Sequence, residues 1–152
     1  MTIRVRRATV ADIDCVCTFN RLLAIETENK KLDSALLESG VAAVLAEPVK
    51  GLYFLAEEEG HVLGQMGVTY EWSDWRNGWF WWIQSVYVRP EARRRGVCRL
   101  LWESIRQAAL LEPQVIGLRL YVERDNTAAH AAYQKMGLEW TRYQVMEQFP
   151  LS

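Results

Sequence analysis

A nearly continuous apolar run from Trp79 to Val88 constrains the fold more than any other stretch of the sequence. A strand that is apolar at successive positions is typical of the interior of a sheet, where both faces are covered. A turn at Pro90, a basic loop with one glycine and an amphipathic helix follow it. Strand, loop and helix in this order predict a right-handed crossover to a parallel neighbouring strand over residues 115–122.

Apolar periodicity and turn residues predict the other elements. A strand over residues 3–7 precedes two helices, which begin after Thr9 and Asp33. Strands over 51–57 and 61–70 form a hairpin, and a turn over 71–78 leads into the apolar run. A short helix begins at Asn126 or Thr127 and ends at Gly137, and 138–149 reads as a final hairpin. We therefore expect a single α/β domain over residues 1–152 with a mixed sheet.

The composition excludes several classes of protein. A net charge of −1 argues against bulk binding to nucleic acid or to an anionic membrane. No apolar run approaches the ~20 residues that span a bilayer, and the first residues lack the apolar core of a signal peptide. The 3 cysteines and 2 histidines have no metal-ligand spacing. We expect a cytoplasmic protein without a metal.

The basic loop places positive charge where a helix already carries it. Arg93, Arg94, Arg95 and Arg99 crowd the helix N-terminus, at which the macrodipole is positive. Free backbone N–H groups and Gly96, which permits close approach, favour an anion there, above all a phosphate. The alternative is that the four arginines are simply solvated.

Two motifs in this context resemble the GNAT superfamily of N-acetyltransferases. The first is Arg93-x-x-Gly96-x-Cys98 between a strand and a helix, with Cys98 where the family usually has Gly or Ala. The second is Asn126-x-x-Ala129-x-x-x-Tyr133-x-x-x-Gly137. The resemblance implies a mixed sheet of about seven strands flanked by about four helices, with acetyl-CoA as the donor.

The resemblance also implies roles for individual residues. The loop N–H groups would bind the CoA pyrophosphate, the strand before it would bulge and pair with the pantetheine arm, and Tyr133 would protonate the departing thiolate. The implied cofactor-binding residues are Val86, Tyr87, Val88, Arg93, Arg94, Arg95, Gly96, Val97, Cys98, Arg99, Asn126, Ala129 and Tyr133.

The general base stays open at the level of sequence. Many family members place a glutamate on the fourth strand where this chain has Gln84, and an amide cannot accept the proton of the attacking amine. The substitutes are Glu71, Asp74, Glu26, Glu28, or a water chain held by Gln84 and Ser85.

Trp72 and Trp75 stand in the predicted turn beside Glu71 and Asp74. Aromatic faces next to carboxylates suit an ammonium ion. We therefore expect residues 71–77, together with Gln84, to help form the acceptor site.

The sequence predicts an enzyme that transfers an acetyl group to a primary amine by direct attack in a ternary complex. One alternative is an acyl-CoA sensor or regulatory module without turnover, because Gln84 replaces a base. Another is an RNA-binding domain that uses arginine and tryptophan, which the net charge disfavours. Exposed aromatic residues or a strand of the final hairpin would support a homodimer.

Overall fold

The computed structural model describes residues 2–151, which form four α-helices and five strands. In chain order these are β1 (Arg4–Arg7), α1 (Ile13–Glu28), α2 (Ser34–Ala46), β2 (Leu52–Glu58), β3 (His61–Ser73), β4 (Gly78–Val88), α3 (Val97–Leu110), β5 (Val115–Leu120) and α4 (Thr127–Lys135). The described residues divide into two compact units, one ending at Tyr121 and one beginning at Val122.

The first unit contains one mixed sheet with the strand order β1-β2-β3-β4-β5. All neighbours are antiparallel except β4 and β5, which are parallel and joined through α3. The prediction of a mixed sheet is therefore confirmed. The apolar run becomes β4, which is covered by β3 on one edge and by β5 on the other.

Side-chain caps fix where the first two helices begin. Thr9 and Asp12 form a reciprocal capping box on a 3-10 turn that leads into α1. Asp33 accepts a hydrogen bond from the backbone N–H of Leu36 at 2.9 Å and caps α2. Each cap satisfies a backbone donor that has no partner inside the helix.

The helices cover both faces of the sheet. On one face, Val16 and Cys17 of α1 and Val41 of α2 form a buried cluster with Tyr53 and Leu55 of β2. The opposite face packs on α3, and a side chain at Gly64 of β3 would collide with the β4 backbone and crowd Val97 of α3.

The predicted hairpin over 138–149 is wrong, and with it the expected strand count. The described residues hold five strands rather than seven, and no strand follows β5. Alternation is broken by Arg142 and by the adjacent apolar pair Val145 and Met146. A strand requires a hydrogen-bonded partner as well as an apolar pattern, and this segment has none among residues 2–151.

The predicted turn over 71–78 is also too long. The β3 strand continues to Ser73, so Trp72 lies in a ladder directly opposite Trp79 of β4. Their rings meet edge to face with centroids 5.0 Å apart. Such cross-strand aromatic pairs stabilise a ladder and explain its extension. Asn77 ends the turn at φ 51°, in the left-handed region that asparagine adopts more readily than most residues, and Gly78 already begins β4.

The second unit contains α4. Asn126 accepts a hydrogen bond from the backbone N–H of Ala129 at 3.2 Å and caps the helix. Gly137 follows the helix at φ 100°, in the left-handed conformation predicted for its terminator. None of the helices over residues 2–151 combines the length and the hydropathy that crossing a bilayer requires.

Candidate active site

A bulge interrupts β4 immediately before the residues predicted to bind pantetheine. Gln65 pairs with Tyr87 and Gly67 with Gln84, so Ser85 and Val86 lie together opposite one residue of β3. Ser85 has a φ of 52°, in the left-handed region. The family's bulged strand is therefore present here.

The two parallel strands separate at the same place. Pairing between β4 and β5 ends at Ile83 and Leu120, and no strand among the described residues pairs with 84–88 on that side. The backbone of Val86, Tyr87 and Val88 thus has no strand partner on the β5 side, and the Val88 carbonyl accepts a hydrogen bond from Arg93. The Tyr87 ring packs against Phe19 with centroids 5.2 Å apart, and burial raises the pKa of its hydroxyl, so this side chain serves the core.

The basic loop after β4 presents free backbone donors. Arg94 at φ 65° and Gly96 at φ 78° both adopt the left-handed conformation before α3 begins at Val97. Within residues 2–151, no backbone N–H of 94–99 donates a hydrogen bond to the protein. A row of unpaired donors at a helix N-terminus is an anion site.

Two of the four arginines already have carboxylate partners. Arg93 donates to Glu26 at 2.8 Å and to the carbonyl of Val88 at 2.9 Å. Arg95 donates to Glu58 at 2.6 Å, and this hydrogen bond lowers the pKa of that carboxyl.

Arg94 and Arg99 have no ion pair with any described residue. The charge at the helix start is therefore balanced by the chain only in part. These two guanidinium groups are available to a bound phosphate.

Cys98 occupies the second position of α3. Burial raises the pKa of its thiol, as it does for Cys15 and Cys17. A protonated thiol is a poor nucleophile, so these cysteines are unsuited to covalent catalysis at neutral pH.

A buried polar network lies beneath the bulge, and the sequence analysis did not predict it. Gln65, which is fully buried, donates through Nε2 to the carbonyl of Ser85 at 3.0 Å and to Asn20 Oδ1 at 3.2 Å. Asn20 in turn donates to the Tyr53 hydroxyl at 3.3 Å. The sequence does contain a signal for this network. Asn20 interrupts the apolar stripe of α1, and a polar residue at a core-facing position needs a hydrogen-bond partner.

The candidate bases have different surroundings. Gln84 donates to the Thr69 hydroxyl at 3.1 Å. Glu26 is paired with Arg93, and Glu71 accepts from Trp82 Nε1 at 2.8 Å and from Arg119 at 3.2 Å.

Glu28 and Asp74 have no ion pair with any residue in 2–151. Glu28 lines a cavity of about 750 Å³ beside α1 and α2, whereas Asp74 lies in the turn between β3 and β4.

The structure separates residues that the sequence placed in one acceptor site. Glu71 and Trp72 are neighbours on β3, so their side chains point to opposite faces of the sheet. Trp75 lies in the turn and is 87% exposed. Glu71 therefore shares a face with Gln84 and Thr69, and Trp72 does not.

The remaining predicted residues lie on α4 in the second unit. Asn126 is its N-cap, and Ala129 and Tyr133 stand one turn apart on the helix.

These features together fit an acyl-CoA site. The unpaired N–H groups of 94–99 and the two available arginines suit a pyrophosphate, and the open edge of β4 suits an extended amide arm. Among residues 2–151, no group of three or more histidine, cysteine or acidic side chains could hold a metal ion. The fold and the site thus define a class, the acetyltransferases that use acetyl-CoA.

Comparison with known proteins identifies the family. Residues 18–138 match the model of the acetyltransferase (GNAT) family. A possible acetyltransferase from Clostridium difficile 630 is 40% identical, with a TM-score of 0.93 and full coverage of both chains. No curated protein sequence matches the chain significantly.

More distant structures share the fold. Glucosamine-6-phosphate N-acetyltransferase from Arabidopsis thaliana has a TM-score of 0.73 at 18% identity, with 98% of this chain and 99% of that chain covered. A predicted acetyltransferase with acetyl-CoA from Clostridium acetobutylicum has a TM-score of 0.80 at 16% identity, with coverage of 97% and 96%. The chain belongs to the GNAT family and is an acetyltransferase.

Proposed function

We propose that the protein transfers the acetyl group of acetyl-CoA to a primary amine, which attacks directly in a ternary complex. The observation that carries this proposal is the opening between β4 and β5 after Ile83, next to the bulge at Ser85. It leaves the backbone of 86–88 without a neighbouring strand immediately upstream of the free donors of 94–99.

The chain's own residues have three tasks in this reaction. Backbone N–H groups of 94–99, with Arg94 and Arg99, bind the pyrophosphate and the adenosine phosphate. The edge of 86–88 orients the pantetheine arm, and a backbone N–H there polarises the acetyl carbonyl. Bound acetyl-CoA supplies a thioester carbonyl that an amine can attack. The raised pKa of Cys98 supports direct attack over a cysteine-bound intermediate.

Glu28 is our proposed proton acceptor for the amine. Of the four carboxylates considered, it lines the cavity that also contains Ser85, whereas Glu26, Glu71 and Asp74 do not. Glu26 and Glu71 are moreover neutralised by Arg93 and Arg119. A carboxylate without a cationic partner is better able to accept a proton, directly or through water.

Tyr133 is our proposed general acid for the departing thiolate. The hydroxyl of a tyrosine is a hydrogen-bond donor that can give up its proton to a thiolate. Asn126 and Ala129 lie on the same short helix and are proposed to contact the cofactor with it.

Residues 71–77 are proposed as a further part of the acceptor site. Glu71 faces the same side of the sheet as Gln84, and the exposed ring of Trp75 lies beside Asp74. Trp75→Ala and Asp74→Ala should both raise the KM for the amine. An unchanged KM in both variants removes this segment from the site.

The proposed function is tested by measuring CoA release from acetyl-CoA with a panel of primary amines. Transfer is expected, with intersecting double-reciprocal lines when both substrates are varied, as a ternary complex requires. Parallel lines would instead indicate a covalent acetyl-enzyme. Tight CoA binding without transfer to any amine would support the sensor.

Exposed apolar residues in the second unit favour a homodimer. Trp140, Tyr143, Met146 and Phe149 are each at least 60% exposed, and aromatic residues and methionine are enriched at protein–protein interfaces. Sedimentation velocity should therefore give the mass of a dimer, and Met146→Lys together with Phe149→Lys should give a monomer. A monomeric wild-type protein at micromolar concentration contradicts this expectation.

A further inference from the structure

A cavity of about 750 Å³ lies beside α1 and α2, on the sheet face that carries Tyr53. Pockets of this size hold small organic molecules. Its lining includes Ser85, the bulged residue of β4, so one end of the cavity lies next to the strand edge proposed to hold the acetyl group. Neither the family assignment nor the motifs say what this cavity binds.

The cavity has polar groups at both ends and mostly apolar walls between them. Near the sheet it is lined by Asn20, Tyr53 and Ser85, which belong to the buried hydrogen-bond network. At the start of α2 it is lined by Leu36, which is 75% exposed. The walls between are mostly apolar and include Leu23, Ala24, Leu37, Val41 and Val44.

The charged lining residues come from one short stretch. Glu28, Lys30, Lys31 and Asp33 all lie at the end of α1 or in the connection to α2. Apart from Glu28 at the end of α1, the helices contribute no charge to the lining, so a ligand that enters the cavity meets polar groups at the sheet and at the connection, and hydrocarbon along the helices.

We infer that this cavity binds the body of the acceptor, and that the acceptor is a primary amine with an unbranched or aryl apolar body. The inference rests on the proposed amine acetylation. The amine nitrogen lies at the Ser85 end and the hydrocarbon runs along α2 towards Leu36. Polyamines and amino sugars fit poorly along the helices, because their inner charges and hydroxyl groups would lose water against apolar walls there. The charged lining residues are confined to the end of α1 and the connection to α2, so they cannot serve as partners along the whole ligand.

The same walls also help the chemistry. Removal of water disfavours the charged form of an amine and so lowers its pKa. The neutral amine is the form that attacks a carbonyl, and Glu28 at the cavity lining can take the proton that leaves.

The test uses a series of n-alkylamines from propylamine to octylamine, with spermidine and glucosamine for comparison. Each methylene that enters the cavity should raise kcat/KM about fourfold, which corresponds to ~0.8 kcal/mol per buried methylene. Spermidine and glucosamine should be poorer acceptors than hexylamine. Titration calorimetry of the same alkylamines in the presence of CoA should show the same increment in affinity.

Leu36→Asn provides the specific variant and Leu110→Asn its control. Both leucines are exposed and helical, at 75% and 65%, but Leu110 lies at the end of α3 and does not line the cavity. Leu36→Asn should lower kcat/KM for octylamine at least threefold more than it lowers kcat/KM for propylamine. Leu110→Asn should change neither.

The measurements of transfer and of binding separate the inference from the function on which it rests. A chain-length gradient in binding without transfer refutes the proposed function, and with it the role of the cavity as an acceptor site, while showing that the cavity binds apolar amines. Transfer that is flat from propylamine to octylamine, or fastest with spermidine, overturns the inference and leaves the function standing. If neither binding nor transfer depends on chain length, the inference fails.

Discussion

Gly96 and Gly60 form a matched pair for testing the cofactor site. Both adopt the left-handed conformation, with φ of 78° and 81°, and a Cβ at either position would meet no atom within 4 Å. Alanine in this conformation costs roughly 1–2 kcal/mol. At about 2–4 °C per kcal/mol for a chain of this size, each Gly→Ala variant should melt a few degrees lower and still fold.

The two variants should differ in binding. Gly60 lies in the turn between β2 and β3, whereas Gly96 lies among the free N–H groups of 94–99. A methyl group at Gly96 would occupy the space through which a phosphate approaches those donors. Loss of one hydrogen bond to a charged group costs ~1.5–3 kcal/mol, so Gly96→Ala should weaken CoA binding roughly 10- to 150-fold.

The assay is calorimetric titration with CoA, combined with thermal unfolding of both variants. Gly60→Ala should bind CoA within twofold of the wild-type protein. The phosphate site is refuted if both variants lose similar stability and Gly96→Ala binds CoA as tightly as Gly60→Ala.

Three further predictions follow. Arg6 lowers the pKa of the Asp12 carboxyl in the folded state, so the stabilisation is present above the unfolded pKa of ~3.9 and is lost as pH falls through the lower folded value. Asp12→Asn should therefore cost ~1–2 kcal/mol at pH 7 and less in acid, by urea unfolding at several pH values. Tyr133→Phe should lower kcat with modest change in acetyl-CoA affinity, and unchanged turnover removes Tyr133 from its role. Glu28→Gln should lower kcat/KM for the amine, and an unchanged kcat/KM excludes Glu28 as base.

Local signals made most of the fold predictable. The apolar run of β4, the caps at Thr9 and Asp33, and the glycine after α4 each act within a few residues of the chain. The parallel neighbour β5 followed from the crossover alone. The length of β3 could not be predicted in this way, because Trp72 joins the ladder through a pair with Trp79 that no local pattern shows.

The same distinction explains the missing hairpin. The residues from Leu138 to Phe149 have the composition of strands, but pairing depends on a partner edge elsewhere in the chain. Their alternation also fails at Arg142, which would place a charge among apolar side chains. A local apolar pattern therefore overestimated the number of strands.

The arginine loop shows what charge alone could and could not reveal. The sequence indicated an anion site, because positive charge at a helix N-terminus is unfavourable. It did not show that Arg93 and Arg95 are paired with Glu26 and Glu58, which come from α1 and β2. Those pairs leave Arg94 and Arg99 as the residues expected to govern the salt dependence of CoA binding.

Gln65 links the fold to the chemistry. Ser85 in the left-handed conformation is strained, and its carbonyl without a donor would cost ~1–3 kcal/mol more. Gln65 Nε2 satisfies that carbonyl, yet Gln65 Oε1 is buried without a partner among residues 2–151, so the amide itself is incompletely satisfied. A leucine at this position would remove the unpaired oxygen, but it would leave the Ser85 carbonyl in the bulge without its hydrogen-bond donor. The glutamine is therefore better explained by the shape it imposes on β4, which opens the edge of 86–88, than by stability.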